Sequence, residues 1–134
     1  MNIHEIHDMS QMTAERGYDM ESVRKWKEER IRQGISCYDM EDLEDYLTHI
    51  LIVGLRHIAD ANWSYPNRPE FPDLESWQTW LRDTAGMLER MVQLMHPDYC
   101  EVGVQKAQKM LAEGAALKDE VFDRLKKHFF DLWI

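Results

Sequence analysis

The segment DMEDLEDYLTHILIVGLRHIAD, residues 39–60, decides the fold that the sequence predicts. Carboxylates crowd its first turns, where the positive end of a helix dipole favours negative charge, and Asp39 is the predicted N-cap. Apolar residues then recur with the three-and-four spacing of one helical face: Leu43, Tyr46, Leu47, Ile50, Leu51, Gly54, Leu55, Ile58 and Ala59. This pattern predicts a central helix over about residues 40–61 that buries this face. Ile52, on the opposite face, indicates that the middle of the helix is covered on more than one side.

Three further segments show helical patterns. One helix is predicted from about Met20 to Gln33, ended by Gly34, and another from Leu74 to about Met95, begun by Asp73. The final segment, Glu101–Trp133, has an apolar arc roughly 160° wide. Its Gly114-Ala-Ala sequence and the Lys118 that follows predict a break or two helices nearly in line.

No segment shows the period-two alternation of a strand. The sequence therefore predicts an all-α fold, a single-domain bundle of four or five helices over residues 1–134. In this bundle the central helix packs against the Leu74–Met95 helix and the final segment. Residues 1–18 have only a narrow apolar stripe, so we expect them to be loosely attached.

Composition narrows the class of protein. The chain has 134 residues, 44% of them apolar, and a formal charge of −9. That charge argues against an extended nucleic-acid-binding surface, because phosphate contacts need concentrated Lys and Arg. Two cysteines, no predicted signal peptide and a longest apolar run of only Ile50–Val53 indicate a soluble protein of a reducing cytoplasm, with no membrane contact.

Signatures of catalysis and metal binding are weak in this sequence. Glu41-x-x-Glu44-Asp45 and Glu120-x-x-Asp123 have spacings similar to those with which helical nucleotide pyrophosphohydrolases hold magnesium. The helix dipole alone explains the first group, however, and His4-x-x-His7-Asp8 lies in a segment with no other clustered donors. We predict no catalytic residue, no metal and no cofactor.

The end of the central helix and the loop after it are the best candidates for recognition. Arg56, Trp63, Tyr65 and Arg68 combine forked cations with rigid aromatic rings, and the prolines limit the ordering cost of the loop. They predict a site for a partner protein or a small anionic ligand; that the partner is a host protein is implied only by the resemblance described next. In one alternative, Trp63 and Tyr65 only pin the loop over the core; in another, Glu41–Asp45 mimic DNA and bind a basic partner.

Several short motifs resemble small bacteriophage-encoded helical proteins. They are Gly34-x-Ser36-x-x-Asp39-x-x-x-x-Leu43-x-x-Tyr46-Leu47, Gly54-Leu55-Arg56, Tyr65-Pro66, Glu75-x-Trp77-x-x-x-Leu81 and the closing Phe129-x-x-Leu132-Trp133. The sequence departs from that group at Met40, where Trp is usual, and at Trp63-Ser64, where His-Gly is usual. The resemblance implies an accessory protein in the host bacterial cytoplasm and implies no settled activity.

Three functions follow as hypotheses. The preferred one is a non-enzymatic binding protein that a phage makes to act on a host component, such as a defence system. The alternatives are a structural or assembly role in the virion and a helical metal-dependent nucleotide hydrolase. The sequence leaves a homo-oligomer open.

Overall fold

The computed structural model describes residues 9–61 and 64–133. They form six α-helices and no strand, apart from an isolated antiparallel bridge between Arg68 and Phe71, which confirms the predicted all-α class. The helices are α1 Met20–Gln33, α2 Cys37–Glu41, α3 Leu43–Asp60, α4 Leu74–Met95, α5 Tyr99–Val102 and α6 Val104–His128. Short 3₁₀ turns cover Met9–Gln11, Ala14–Arg16 and Phe129–Asp131.

The bounds predicted for α1 and α4 are confirmed, together with their end residues. Gly34 ends α1 in the left-handed region at φ 82°, which a residue without a Cβ adopts at little cost. The Asp73 side chain accepts a hydrogen bond from the Ser76 N–H and so begins α4.

The chain divides into two compact units, Met1–His49 and Ile50–Ile134. In the N-terminal unit a small apolar cluster of Met9, Met12 and Val23 is covered by Tyr18, Trp26 and Tyr38. The His4-x-x-His7-Asp8 group, for which we predict no metal, lies outside the described residues.

The central helix begins differently from the prediction, because Ser36 rather than Asp39 is the N-cap. Ser36 accepts a hydrogen bond from the Asp39 N–H, and the Asp39 carboxylate accepts one from the Ser36 N–H, which completes a capping box. The short helix α2 therefore starts at Cys37. It ends at Asp42, whose φ of −129° and ψ of 61° leave the helical region, and α3 follows as a separate helix.

The C-terminal unit contains the larger apolar core, to which α3, α4 and α6 contribute. The buried side chains of this core are Ile52, Leu55, Ala59, Phe71, Trp77, Leu81, Ala85, Leu88, Met91, Val121 and Leu125. Helices α4 and α6 form the most extensive helix pair of the described residues.

The buried face of α3 differs from the predicted one. Ile52, expected on the polar side, is completely buried, whereas Leu43, Leu47 and Ile50 are exposed, Leu47 by 51%. The predicted cover over Ile52 is therefore confirmed, but the expectation that Leu47 is a core residue is wrong. Periodicity gives the width of an apolar arc, and only the packing partners decide which part of it is buried.

The predicted break in the final segment is also wrong, because α6 is continuous from Val104 to His128. Gly114 lies inside it, where an added Cβ would come within 2.8 Å of the Met95 sulfur and 3.1 Å of the Leu94 Cβ. The glycine thus permits close packing of α6 on α4.

The wide apolar arc of the final segment is only partly buried. An inner seam packs toward the core and consists of Ala107, Gly114, Val121 and Leu125. An outer seam runs along the neighbouring face of the helix and consists of Val104, Leu111, Ala115, Phe122 and Phe129. Leu111 is half-buried and the other four are exposed, so the prediction that the whole arc is core is wrong.

Candidate functional site

A tight turn in the loop between α3 and α4 brings polar side chains together. Asn67 takes a positive φ of 46°, and the Phe71 N–H donates to the Arg68 carbonyl oxygen at 2.8 Å. Asn is one of the few residues that adopt this left-handed conformation readily. Because Phe71 is buried while Arg68 and Glu70 remain exposed, the turn presents both charged side chains at the surface of the core.

Arg68 forms a forked ion pair with Asp131, in the 3₁₀ turn after α6. Its Nε and Nη2 atoms donate to the two carboxylate oxygens at 3.0 and 2.7 Å. Such a fork fixes orientation as well as charge. The same carboxylate lies 3.1 Å from Nδ1 of His128, so one buried side chain connects the loop to the end of α6.

His128 lies between two carboxylates. Its Nε2 is 3.3 Å from the Glu70 carboxylate, on the other side of the ring from Asp131. A neutral imidazole has one N–H and can donate to only one of them, whereas an imidazolium donates to both. Aromatic rings enclose the imidazole edge-to-face, with centroid distances of 4.9 Å to Phe71 and 5.1 Å to Trp80.

These contacts shift the pKa of the ion pair in the direction that keeps both groups charged. The hydrogen bond from Arg68 lowers the pKa of Asp131 below its ordinary value; partial burial opposes this shift, and His128 adds to it. The hydrogen bond to Asp131 raises the pKa of Arg68 in turn. The guanidinium is half exposed, so solvent screens much of this interaction.

An open cavity of about 310 Å³ lies beside this cluster, lined by Arg68, Pro69, Glu70, Lys127 and His128. Arg68, Lys127 and His128 offer nitrogen donors to it, and Glu70 is the one carboxylate among the five lining residues. The Glu70 side chain is 64% exposed and is tied to the cluster through the His128 contact. The cavity is therefore lined by three nitrogen-bearing side chains suited to an anionic group, and two of them, Arg68 and His128, already contact internal carboxylates.

The structure places the predicted binding residues at different positions. Arg68 lines the cavity, and Tyr65 packs against the apolar core. Arg56 forms its own forked pair with Glu89 of α4, with both distances 2.7 Å, and does not line the cavity. Trp63 lies outside the described residues. A shared role for these four residues stays a prediction.

Sequence reasoning missed Glu70, Lys127, His128 and Asp131. The available signal was the spacing His128-x-x-Asp131, which puts two polar side chains on one side of a terminal turn, with Phe129 and Phe130 between them. The ion pair between Asp131 and Arg68 joins residues 63 positions apart, and no local sequence pattern indicates it.

In comparisons with known proteins, no family model, curated protein or solved structure matches the chain. Within the described ranges, no three His, Cys, Asp or Glu side chains are grouped so that they could hold a metal ion. No helix among residues 9–61 and 64–133 has the length and apolar character needed to cross a membrane.

Proposed function

We propose that this chain is a phage-encoded, non-enzymatic binding protein that acts on a host component through an anionic group, either a carboxylate or a phosphate. The observation that carries the binding site is the convergence of Arg68, Lys127 and His128 on one cavity. The phage context rests on the motif resemblance alone.

Glu70 suggests how an anion would bind. Its carboxylate contacts His128 Nε2 at 3.3 Å from a mostly exposed side chain, so rotation into solvent would release the imidazole at little cost in packing. An incoming carboxylate or phosphate takes that position and gains Lys127 and the outer edge of Arg68 as further donors. Asp131 stays behind the site and holds Arg68 and His128 in place.

The first test measures thermal stabilisation by inorganic phosphate and by nucleoside triphosphates, with and without magnesium. Because Glu70→Ala removes the competing carboxylate, it should increase the shift in melting temperature, whereas Lys127→Glu should abolish it. Lys109→Glu, on the same helix but outside this cavity, is the matched control and should behave as wild type. If the anion shifts the melting temperature equally in wild type, Glu70→Ala and Lys127→Glu, the proposed site is wrong.

The second test addresses the target. Affinity capture from host lysate should recover the same component with wild type and Lys109→Glu, but not with Lys127→Glu. Abundant copies of the chain in purified virions would instead support the assembly role. Turnover of a nucleotide only with magnesium would support the hydrolase.

A further inference from the structure

Helix α6 carries an apolar face that the core does not use. At 100° per residue, the outer seam lies roughly 70° around the helix from the inner seam, and two of its residues, Ala115 and Phe122, directly follow inner-seam residues. Phe122 is 50% exposed, and beyond the helix Phe129, Phe130 and Trp133 are exposed as well. Four exposed aromatic side chains within 12 residues form a patch of the kind that marks an interaction surface.

The spacing of the outer seam suits a helix as its partner. The intervals between Val104, Leu111, Ala115, Phe122 and Phe129 are seven, four, seven and seven residues, which is the repeat of a helix-packing seam. With 25 residues, α6 is roughly 37 Å long, enough for several turns of contact. Phe122, Phe129 and Trp133 are about half exposed and Phe130 is almost fully exposed. Covering all four therefore buries roughly 500 Å² per copy, or about 1,000 Å² in total, which is the lower end of the range for a specific interface.

The charges beside the seam indicate what the partner is. Asp119 and Lys126 flank Phe122, one before and one after it, and both are exposed. Across residues 9–61 and 64–133, no carboxylate comes within ion-pair distance of Lys126, and Asp119 has only a 3.9 Å contact with its neighbour Lys118. A surface with an acidic group on one side of its centre and a basic group on the other is complementary to itself in antiparallel orientation.

We propose that the C-terminal part of the outer seam of α6, from Ala115 to Phe129, binds the same part of a second copy of this chain, antiparallel about a twofold axis between Phe122 and Asp123. In this register Asp119 of each copy faces Lys126 of the other, which gives two equivalent ion pairs. The same register sets Ala115 opposite Phe130 and next to Phe129, so a small side chain receives large ones. None of these residues lines the cavity, so the dimer and the proposed anion site can be tested separately.

Sedimentation velocity and light scattering over a range of protein concentrations test the dimer. Wild type should be dimeric, whereas Phe122→Asp should be monomeric with an unchanged helical circular dichroism spectrum, because the side chain lies outside the core. Val53→Asp, which changes an exposed apolar residue of α3, is the matched control and should remain dimeric. A wild type that is monomeric at every concentration overturns the proposal, as does a dimer that survives Phe122→Asp.

Charge exchange tests the register without touching an apolar residue. Asp119→Lys places like charges opposite each other and should weaken dimerisation about tenfold or more. Adding Lys126→Asp to the same chain restores opposite charges and should recover most of the lost affinity. If the double variant is as weak as Asp119→Lys alone, the antiparallel register is wrong.

Discussion

The two units differ in the kind of side chain that they bury. In the N-terminal unit, Ser36 and Asp39 are completely buried and Glu29 is nearly so, and among residues 9–49 the buried apolar cluster consists of Met9, Met12 and Val23. In the C-terminal unit the completely buried side chains are mostly apolar, such as Leu81 and Leu88. Burial of a polar group stabilises only where every donor and acceptor is matched, whereas apolar burial depends on volume and shape.

The polar interior of the N-terminal unit is matched in this way. The Asp39 carboxylate accepts from Arg30 Nε at 2.8 Å and from the Ser36 N–H and hydroxyl, both at 2.8 Å, and it also pairs with Arg30 Nη2. Glu29 accepts from the Cys37 N–H at 2.7 Å. The N-terminal unit should therefore respond to loss of single charges and to pH, and the C-terminal unit to changes in volume.

The largest expected effect comes from a charge in the apolar core. Leu88→Asp buries an unpaired carboxylate and should cost more than about 4 kcal/mol, enough to prevent folding of the C-terminal unit. Leu47→Asp makes the same chemical change at a half-exposed position, and there the fold should be retained. Far-ultraviolet circular dichroism and thermal melting distinguish them; loss of structure in both variants would contradict the burial described for α3.

Breaking the buried ion pair should have the next largest effect. Asp39→Ala leaves the mostly buried Arg30 guanidinium without its partner and should cost about 3 kcal/mol. Arg24→Ala, which removes an exposed pair with Glu28 on the same helix, should change little. Urea unfolding of both variants measures the difference, and equal effects would mean that the Asp39 cluster is no stronger than a surface pair.

The same carboxylate should make stability depend on pH. Burial raises the pKa of Asp39, but its hydrogen bonds with Arg30 and Ser36 outweigh this effect and lower the pKa below the ordinary 3.8. A depressed pKa stabilises the folded state above the unfolded-state value, and this contribution is lost as pH falls through the folded value. The melting-temperature gap between wild type and Asp39→Asn should therefore be constant near neutral pH and shrink below about pH 4. A gap that widens in acid would reverse the assigned sign.

The smallest expected changes in stability are for alanine substitutions at two glycines of the C-terminal unit, and they differ in sign. Gly86→Ala, in α4, meets nothing within 4 Å and should stabilise by about 0.5–1 kcal/mol through helix propensity. Gly114→Ala should destabilise by about 1–2 kcal/mol, because the new Cβ presses on Leu94 and Met95. Opposite signs in thermal melting are expected; two stabilising substitutions would show that the α4–α6 packing is looser than described.

Helix positions were largely predictable, and the choice of buried face was not. The Gly34 and Asp73 signals are local, since one residue supplies the conformation or the hydrogen bond that ends or begins a helix. The capping box at Ser36 is local too, and the Ser36-x-x-Asp39 spacing was available in the sequence. Burial of Ile52 rather than Leu47 depends on which helices pack on α3, information that no single helix contains.

Of the site, only Arg68 was predicted. Its loop stood out by proline and aromatic composition, whereas Asp131 and His128 lie in the final segment, where the sequence analysis singled out only the apolar arc and its expected break. No local sequence pattern indicates an ion pair between residues 63 positions apart. Yet this pair with Asp131 is what compensates the charge of Arg68 at the cavity.

The Arg68–Asp131 pair also bears on the order in which the C-terminal unit assembles. Closing a chain segment of this length costs conformational entropy that a single ion pair cannot repay before α4 and α6 have packed. We therefore expect the cavity to form late in folding and to open early in unfolding. Amides of the 68–71 turn should exchange with solvent faster than those in the middle of α4, and occupancy of the cavity should slow the exchange at the turn first.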